Sequence, residues 1–300
     1  MPFRCSVVLC TYNRVEYLKK SIPALLSLDF VEYEIIVVND GSTDATGAYL
    51  KELEAHSRVR VFTNQKNIGL SLSRNIGIQQ AKHDIIVFTD DDCLVSINWL
   101  TQLMSGFADD QVGFVIGQVY YRNIGYKGYF PERLVQNIGA RWPMGANIAY
   151  RKLVFERVGD FEDIFFRMGN EDSEMAIRAV SFGINFARVP TAIVFHQAMN
   201  WTARSLLRSA RNFSVWPNLK KMYPNHYLVF GPKITFGCMV DAKDYLYFLI
   251  LPLFIPVLLA RYLYHGKRDI KIFFTKWPLY ILLKRYYIYR EAVRQKIFMI

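Results

Sequence analysis

Three consecutive aspartates, Asp90, Asp91 and Asp92, close an apolar run at residues 85–89. In an extended chain alternate side chains share a face, so Asp90 and Asp92 can point the same way. Carboxylates this close repel one another, and a divalent cation with oxygen ligands stabilises them directly. Held there, Mg2+ or Mn2+ can bridge a diphosphate and offset the charge on a departing phosphate. The triplet alone also fits an acidic turn that ends a strand in water. Asp40, in Asn39-Asp40-Gly41-Ser42, follows a second apolar run in the same manner. Its carboxylate suits a base or ribose as a hydrogen-bond acceptor, or it serves a turn and helix cap favoured by Gly41-Ser42-Thr43.

A second acidic group, Glu171-Asp172, opens a helical pattern whose apolar stripe is Met175, Ala176, Ala179 and Val180. Asp172 lies three and four residues before that stripe and so starts on the inward face, where a carboxylate can act as a general base. Acidic residues in a first helical turn also complement the macrodipole, with no chemistry implied. His196 follows the apolar run 192–195 and reads as a satisfied structural histidine or as a ligand. Arg141-Trp142 before Gly145-Ala146-Asn147 reads as a binding platform or as a packed loop.

The elements that must position these groups come from the apolar pattern. Strands are expected at 6–9, 34–38, 59–63 and 85–89, with helices at 15–28, 43–55 and 70–80 between them; Ser42 or Thr43 is the expected cap of the second helix. Near-continuous Val/Ile runs separated by helices imply a parallel sheet covered on both faces. In such sheets ligands bind beyond the carboxyl ends of the strands, where residues 11–14, 39–41 and 90–92 stand. Neither GxGxxG after a strand nor GxxxxGK[ST] occurs, so neither common phosphate-binding glycine loop is available. Beyond Val112 the pattern is mixed, with strands at 112–120, 145–150, 186–189 and 192–195 and a helix at 171–182.

The chain has 300 residues, 52% of them hydrophobic, enough to fill a core and to exclude a disordered protein. Its formal net charge is +11, which first suggests a polyanion or a membrane surface. That charge is unevenly spread. Residues 201–300 hold 17 Lys and Arg against 4 Asp and Glu, a net of +13, whereas residues 1–200 net −2. A nucleic-acid-binding domain would spread its basic residues over the folded part, so that class is set aside. Cys5, Cys10, Cys93 and Cys238 lack metal-finger spacing and are expected to be free thiols in a reducing compartment. The apolar run after Arg4 is too short for a signal peptide, so the soluble part is expected to stay in the cytosol.

Taken together and in order, these segments resemble the family 2 glycosyltransferases, inverting enzymes with the nucleotide-sugar GT-A fold. The matching residues are Val7-Val8-Leu9-Cys10-Thr11-Tyr12-Asn13-Arg14, Val37-Val38-Asn39-Asp40-Gly41-Ser42-Thr43-Asp44 and Asn67-Ile68-Gly69 with Ser73-Arg74-Asn75-Ile76-Gly77. Phe88-Thr89-Asp90-Asp91-Asp92, Gly145-Ala146-Asn147-Ile148-Ala149, Val158-Gly159-Asp160-Phe161 and Gly169-Asn170-Glu171-Asp172 complete the set. The resemblance covers about residues 3–200 and implies an α/β GT-A domain with a mixed, mainly parallel sheet. It further implies that Thr11, Tyr12, Asn13 and Arg14 line the nucleotide pocket, that Asp40 contacts the base and that Arg74 approaches the diphosphate. Asp90 and Asp91 would join this donor-binding set, Asp92 and His196 would hold Mn2+ or Mg2+, and Asp172 of the Glu171-Asp172 pair would be the catalytic base. Trp142 and Asn147 are the candidates for the acceptor side. An aromatic QxxRW motif, the mark of processive polysaccharide synthases in the family, has no clear counterpart, which favours single additions.

The tail, residues 201–300, is basic and aromatic. Arg204, Arg208 and Arg211 recur at helical spacing, either as a stripe for phosphates or as a solvated face. Residues 245–260 carry no charge, but as a helix they span about 24 Å, short of a roughly 30 Å hydrocarbon core. A second apolar stretch, 270–283, runs into Lys284-Arg285 and Tyr286, Tyr287 and Tyr289, a mixture expected at a headgroup boundary. The expectation is a monotopic or re-entrant anchor over about 245–260 and 270–289, placing the enzyme on the cytoplasmic face of the cell membrane. The expected partners are a nucleotide-sugar donor and a lipid-linked or glycan acceptor, with no nucleic acid. The rival readings are a polyprenyl-phosphate glycosyltransferase and a non-catalytic nucleotide-sugar-binding scaffold.

Overall fold

The computed structural model describes residues 3–122, 136–163, 169–197, 202–231, 234–236, 238–241, 244, 256, 259–260, 263–264 and 270–300. The chain divides into two compact units. One comprises residues 1–122, 135–166 and 171–197, and the other residues 123–134, 167–170 and 198–300.

The first unit is built on an eight-stranded sheet. Its strands are β1 (Cys5–Thr11), β2 (Tyr33–Asn39), β3 (Val59–Thr63), β4 (Ile85–Asp90), β5 (Cys93–Val95), β6 (Val112–Arg122), β7 (Ile148–Arg151) and β8 (Asn185–Gln197). They lie in the order β3-β2-β1-β4-β7-β6-β8-β5. The first four are mutually parallel, joined by α1 (Val15–Leu26), α2 (Thr46–Leu53) and α3 (Leu70–Gln80). Every residue of β2 is buried and β1 nearly so, as their unbroken apolar sequences require of a sheet covered on both faces. Beyond β4 the sheet turns antiparallel at β7, β7 to β6 is antiparallel, β6 to β8 is parallel, and β5 closes antiparallel on β8.

Register decides where the polar groups collect. Thr11 stands opposite Asn39 and Cys10 opposite Asp90, so β1, β2 and β4 end together along one edge. The expected strands at 186–189 and 192–195 are one strand. β8 passes through Pro190 with a bulge, because Gly117 pairs with Val189 while Gln118 pairs with Ile193. A proline has no N–H for the ladder, and skipping it leaves the pairing intact on either side. The second helix also starts later than the expected cap. It begins at Thr46, whose N–H donates to Asp44 Oδ1 at 2.9 Å, while the Ser42 hydroxyl accepts the Asn13 N–H. Three short elements add to the frame: α4 (Trp99–Ser105), α5 (Lys152–Val158) and α6 (Glu171–Ser181).

The second unit contains α7 (Ala203–Ser209), a 3-10 turn at Ala210–Ser214, α8 (Val215–Met222), a two-stranded ribbon of β9 (Ile234–Thr235) and β10 (Met239–Val240), and α9 (Ile270–Gln295). The inner face of α9 is anchored by charge. Lys284, 4% exposed, pairs with Asp241 at 2.6 Å and Asp244 at 2.9 Å, and Arg285 pairs with Asp244. These two cations were expected at a lipid boundary, and they are instead committed inside the unit to two aspartates. The apolar stretch 245–260 lies outside the described residues apart from positions 256, 259 and 260. Among the described residues, no helix is long and apolar enough to cross a membrane.

Candidate active site

The common edge of β1, β2 and β4 presents a chain of charged contacts. Arg14, just past β1, places Nη1 2.8 Å from Asp91 Oδ1 and 2.7 Å from Asp92 Oδ2. Asp91 also accepts the Thr11 hydroxyl at 2.8 Å. Asp91 is nearly buried, and loss of hydration pushes its carboxyl up to about 6, with Arg14 pulling the other way and Asp92 adding to the rise. Asp90 is raised as well, first by burial, with Arg74 opposing and Asp92 reinforcing.

Asp92 divides its two oxygens between different partners. Oδ2 faces Arg14, and Oδ1 faces His196 Nε2 at 3.2 Å. His196 Nδ1 lies 3.0 Å from the Gln197 carbonyl, which can only accept, so Nδ1 carries a proton. In the neutral ring Nε2 then turns a lone pair toward a carboxylate oxygen. Two lone pairs at that distance repel, and a cation held by both, or a second proton on the ring, removes the conflict. Ligand atoms of Asp90, Asp92, Cys93 and His196 all fall within 4.8 Å of one another. Carboxylate oxygens with one imidazole suit a hard or borderline divalent ion such as Mn2+.

The second acidic group is tied to the first by one guanidinium. Arg74, on α3 and 3% exposed, sets Nη1 2.6 Å from Glu171 Oε1 and Nη2 3.3 Å from Asp90 Oδ1. Phe88 and Phe161 present their rings to it at 5.8 and 5.6 Å. Gly145 is needed beside it, because a methyl there would collide with the guanidinium. Among the described residues, Asp172 has no such cation in contact. Its Oδ2 accepts the Gly145 N–H at 2.9 Å and its Oδ1 the Ser173 N–H at 2.7 Å. Burial first, and the neighbouring Glu171 second, push its carboxyl up to about 6 against the pull of Arg74. That value puts a proton acceptor close to neutral pH, the range in which general bases work.

Residues 6–173 match the family described as Glycosyl transferase family 2. The chain belongs to that family. Its curated relatives include the Glycosyltransferase GlyA of Streptococcus pneumoniae serotype 4, 26% identical over 54% of this chain and 22% of that protein. Another is the Glucosyl-dolichyl phosphate glucuronosyltransferase of Haloferax volcanii, 23% identical over 56% of this chain and 59% of that protein. The chain spans between 22% and 34% of the length of the first three relatives it matches. In fold it is similar to a mannosyltransferase from Pyrobaculum calidifontis solved with GDP-Man and Mn2+, with a TM-score of 0.65 and 16% identity over 96% of this chain and 89% of that one. The curled, mostly parallel sheet is thus a GT-A fold, with the family 2 domain spanning residues 6–173.

Within this family 2 fold the individual candidates fare differently. Tyr12 is exposed, and Asn13, at φ 54°, turns its side-chain oxygen to the backbone N–H groups of Thr43 and Asp44, tying two loops of the edge together. Asp40 is buried and accepts from Asn64 Nδ2 and from the Ile68 and Gly69 N–H groups, so it shapes the loop that leads into α3. Arg74, read from the resemblance as a diphosphate contact, is a buried clamp between Asp90 and Glu171. Trp142 is exposed on its loop. Asn147, expected on the acceptor side, is fully buried: it accepts from Trp99 Nε1 at 2.8 Å and donates to the Gln118 and Ala192 carbonyls at 2.9 and 2.8 Å. Its side chain braces the sheet and has no surface to offer an acceptor. Cys93 was read only as a buried free thiol; that it stands directly after the triplet was the available signal for more.

Proposed function

We propose that the chain is an inverting, divalent-metal-dependent enzyme that moves a sugar from a nucleotide-sugar to a hydroxyl of a membrane-linked acceptor. The observation that carries this reading is Arg74, which joins the group of Asp90, Asp92 and His196 to the Glu171-Asp172 pair through its contacts with Asp90 and Glu171. Asp90, Asp92 and His196 would hold Mn2+ or Mg2+, and when bound the cation supplies positive charge to the departing diphosphate. Asp172 takes the proton from the acceptor hydroxyl, which attacks the anomeric carbon on the face opposite the leaving group. Glu171, already bound to Arg74, keeps Asp172 basic by its charge. One displacement inverts the configuration and needs no covalent sugar–enzyme intermediate.

A lipid-linked sugar as acceptor is supported by the printed name of the Haloferax relative and by the C-terminal charge of +13. On α9, Leu279, Leu282, Tyr286, Tyr289 and Val293 recur at helical spacing and are exposed, with Lys276, Arg290 and Arg294 beside them. Such a face suits the headgroup region of an anionic bilayer and supports a reading in which the enzyme works at the cytoplasmic membrane surface. The rival in which a polyprenyl phosphate is itself the acceptor has no use for a base, and the raised Asp172 argues against it. A thermal-shift screen of nucleotide-sugars with Mn2+ identifies the donor through the stabilisation that a bound ligand brings. Incubation of that donor with a lipid-linked sugar and with a lipid phosphate then decides the acceptor. Product formed only on the lipid phosphate overturns the hydroxyl-acceptor reading.

A further inference from the structure

The cation centre contains one donor of a different chemical kind. Cys93 opens β5 and stands directly opposite His196 in the antiparallel β5–β8 ladder. Residues so paired project their side chains to the same face of a sheet. The Cys93 sulfur lies 3.9 Å from Asp92 Oδ1, the same oxygen that faces His196 Nε2 at 3.2 Å. With Asp90 these ligand atoms form a set no more than 4.8 Å across, and Cys93, Asp92 and His196 are all more than nine-tenths buried. No disulfide takes the thiol.

Hard and soft ions use such a set differently. Mg2+ and Mn2+ prefer oxygen and have little affinity for sulfur, whereas Zn2+ and Cd2+ take thiolate, imidazole and carboxylate in four-coordinate sites. We propose that Cys93 is a fourth protein ligand at this centre, making it a closed, high-affinity site for thiophilic divalent cations, Zn2+ or Cd2+. The inference rests on reading the Asp90–Asp92–His196 group as a cation site and adds a ligand to it. On binding, the S–H bond breaks, its proton leaves to solvent and the sulfur lone pair passes to the ion. A site whose four positions are all filled by protein has none left for a diphosphate. The soft ion is therefore an inhibitor that competes with the working cation, and the thiol sets which metals the enzyme tolerates.

The test is metal binding by the full chain after chelator treatment and dialysis. Co2+ reports thiolate ligation through a sulfur-to-metal charge-transfer band in the near ultraviolet. The unaltered chain is expected to show that band, and Cys93→Ser to lose it. Zn2+ affinity, measured by competition with a chromophoric chelator, is expected to fall at least about tenfold in Cys93→Ser, with Mn2+ affinity changed less than about twofold. Cys93→Ala serves as a second variant should the serine disturb folding, and it should give the same Zn2+ loss. Absence of the band from the unaltered chain, or a Zn2+ affinity indifferent to Cys93, overturns the fourth ligand while Mn2+ binding still stands. If Mn2+ also fails to bind, the reading of the whole centre falls with it.

Discussion

The two acidic groups of the first unit are built alike in sequence and differ in what holds them. At the end of β4, all three aspartates touch an arginine: Asp91 and Asp92 share Arg14, and Asp90 meets Arg74. At the start of α6, Glu171 takes the other side of Arg74, and Asp172 meets two backbone N–H groups and, among the described residues, no cation. Arg14 and Arg74 oppose the rise that burial brings to Asp91 and Asp90, which stay raised all the same, Asp91 to about 6. Asp172 is raised to about 6 as well, by burial first and by Glu171 second, and it meets backbone N–H groups where Asp91 meets Arg14, which leaves it placed as a proton acceptor. One guanidinium, that of Arg74, links the two groups through Asp90 and Glu171.

Removing the base should break the contrast most severely. Asp172→Asn keeps the shape and the Gly145 N–H contact but cannot take a proton, so transfer should fall about a hundred- to ten-thousand-fold. Nucleotide-sugar affinity should stay within a few-fold of the parent by calorimetry; near-normal turnover would remove Asp172 from the chemistry. On the other side of the contrast, His196→Ala or Asp92→Asn should weaken Mn2+ binding by at least about tenfold. Activity should then return in part at high Mn2+, as read from a metal titration of the rate. Unchanged Mn2+ dependence in both variants would place the ion elsewhere.

Two milder changes sharpen it. Arg14→Gln leaves Asp91 and Asp92 without their shared cation, so its melting temperature should drop and Mn2+ should raise it more than in the parent. Equal Mn2+ effects in the two proteins would mean that Arg14 and the metal do not act on the same charges. Glu171→Gln removes a negative charge next to Asp172 and leaves Arg74 to act on it more strongly. Its folded pKa should fall, so the pH–rate profile should move to lower pH with transfer retained at pH values above it. A loss of rate at all pH values would make Glu171 a catalytic group and not a positioning one.

Much of this contrast could be read from residue order, and some could not. The four parallel strands were legible because burial on both faces forces unbroken Val/Ile runs, and the triplet and Asp172 stand at visible element ends. The later part was harder. β5 is only three residues long, too short to carry a period, and β8 runs through a proline that pattern reasoning treats as a break. The Arg74 link between the two acidic groups was not legible because its two partners lie 16 and 97 residues away in the chain. Asn147 misled for the converse reason: a polar residue beside a glycine suggests a surface loop, yet three hydrogen bonds satisfy it inside the sheet. Lys284 and Arg285 read as headgroup cations because Asp241 and Asp244, which bind them, are some 40 residues distant in the chain.

The account's central claim is that Asp172 works as a base because burial and the neighbouring Glu171 raise its carboxyl toward neutral pH. The direct measurement is kcat/KM for sugar transfer from about pH 5 to about pH 8 at saturating Mn2+. Asp172 is protonated and idle below its pKa and ionised above it. The rate should therefore rise through an apparent pKa near 6 and level off above it, with the residual rate of Asp172→Asn showing no such step. A parent profile that is flat across that range, or a step that persists in Asp172→Asn, would contradict it.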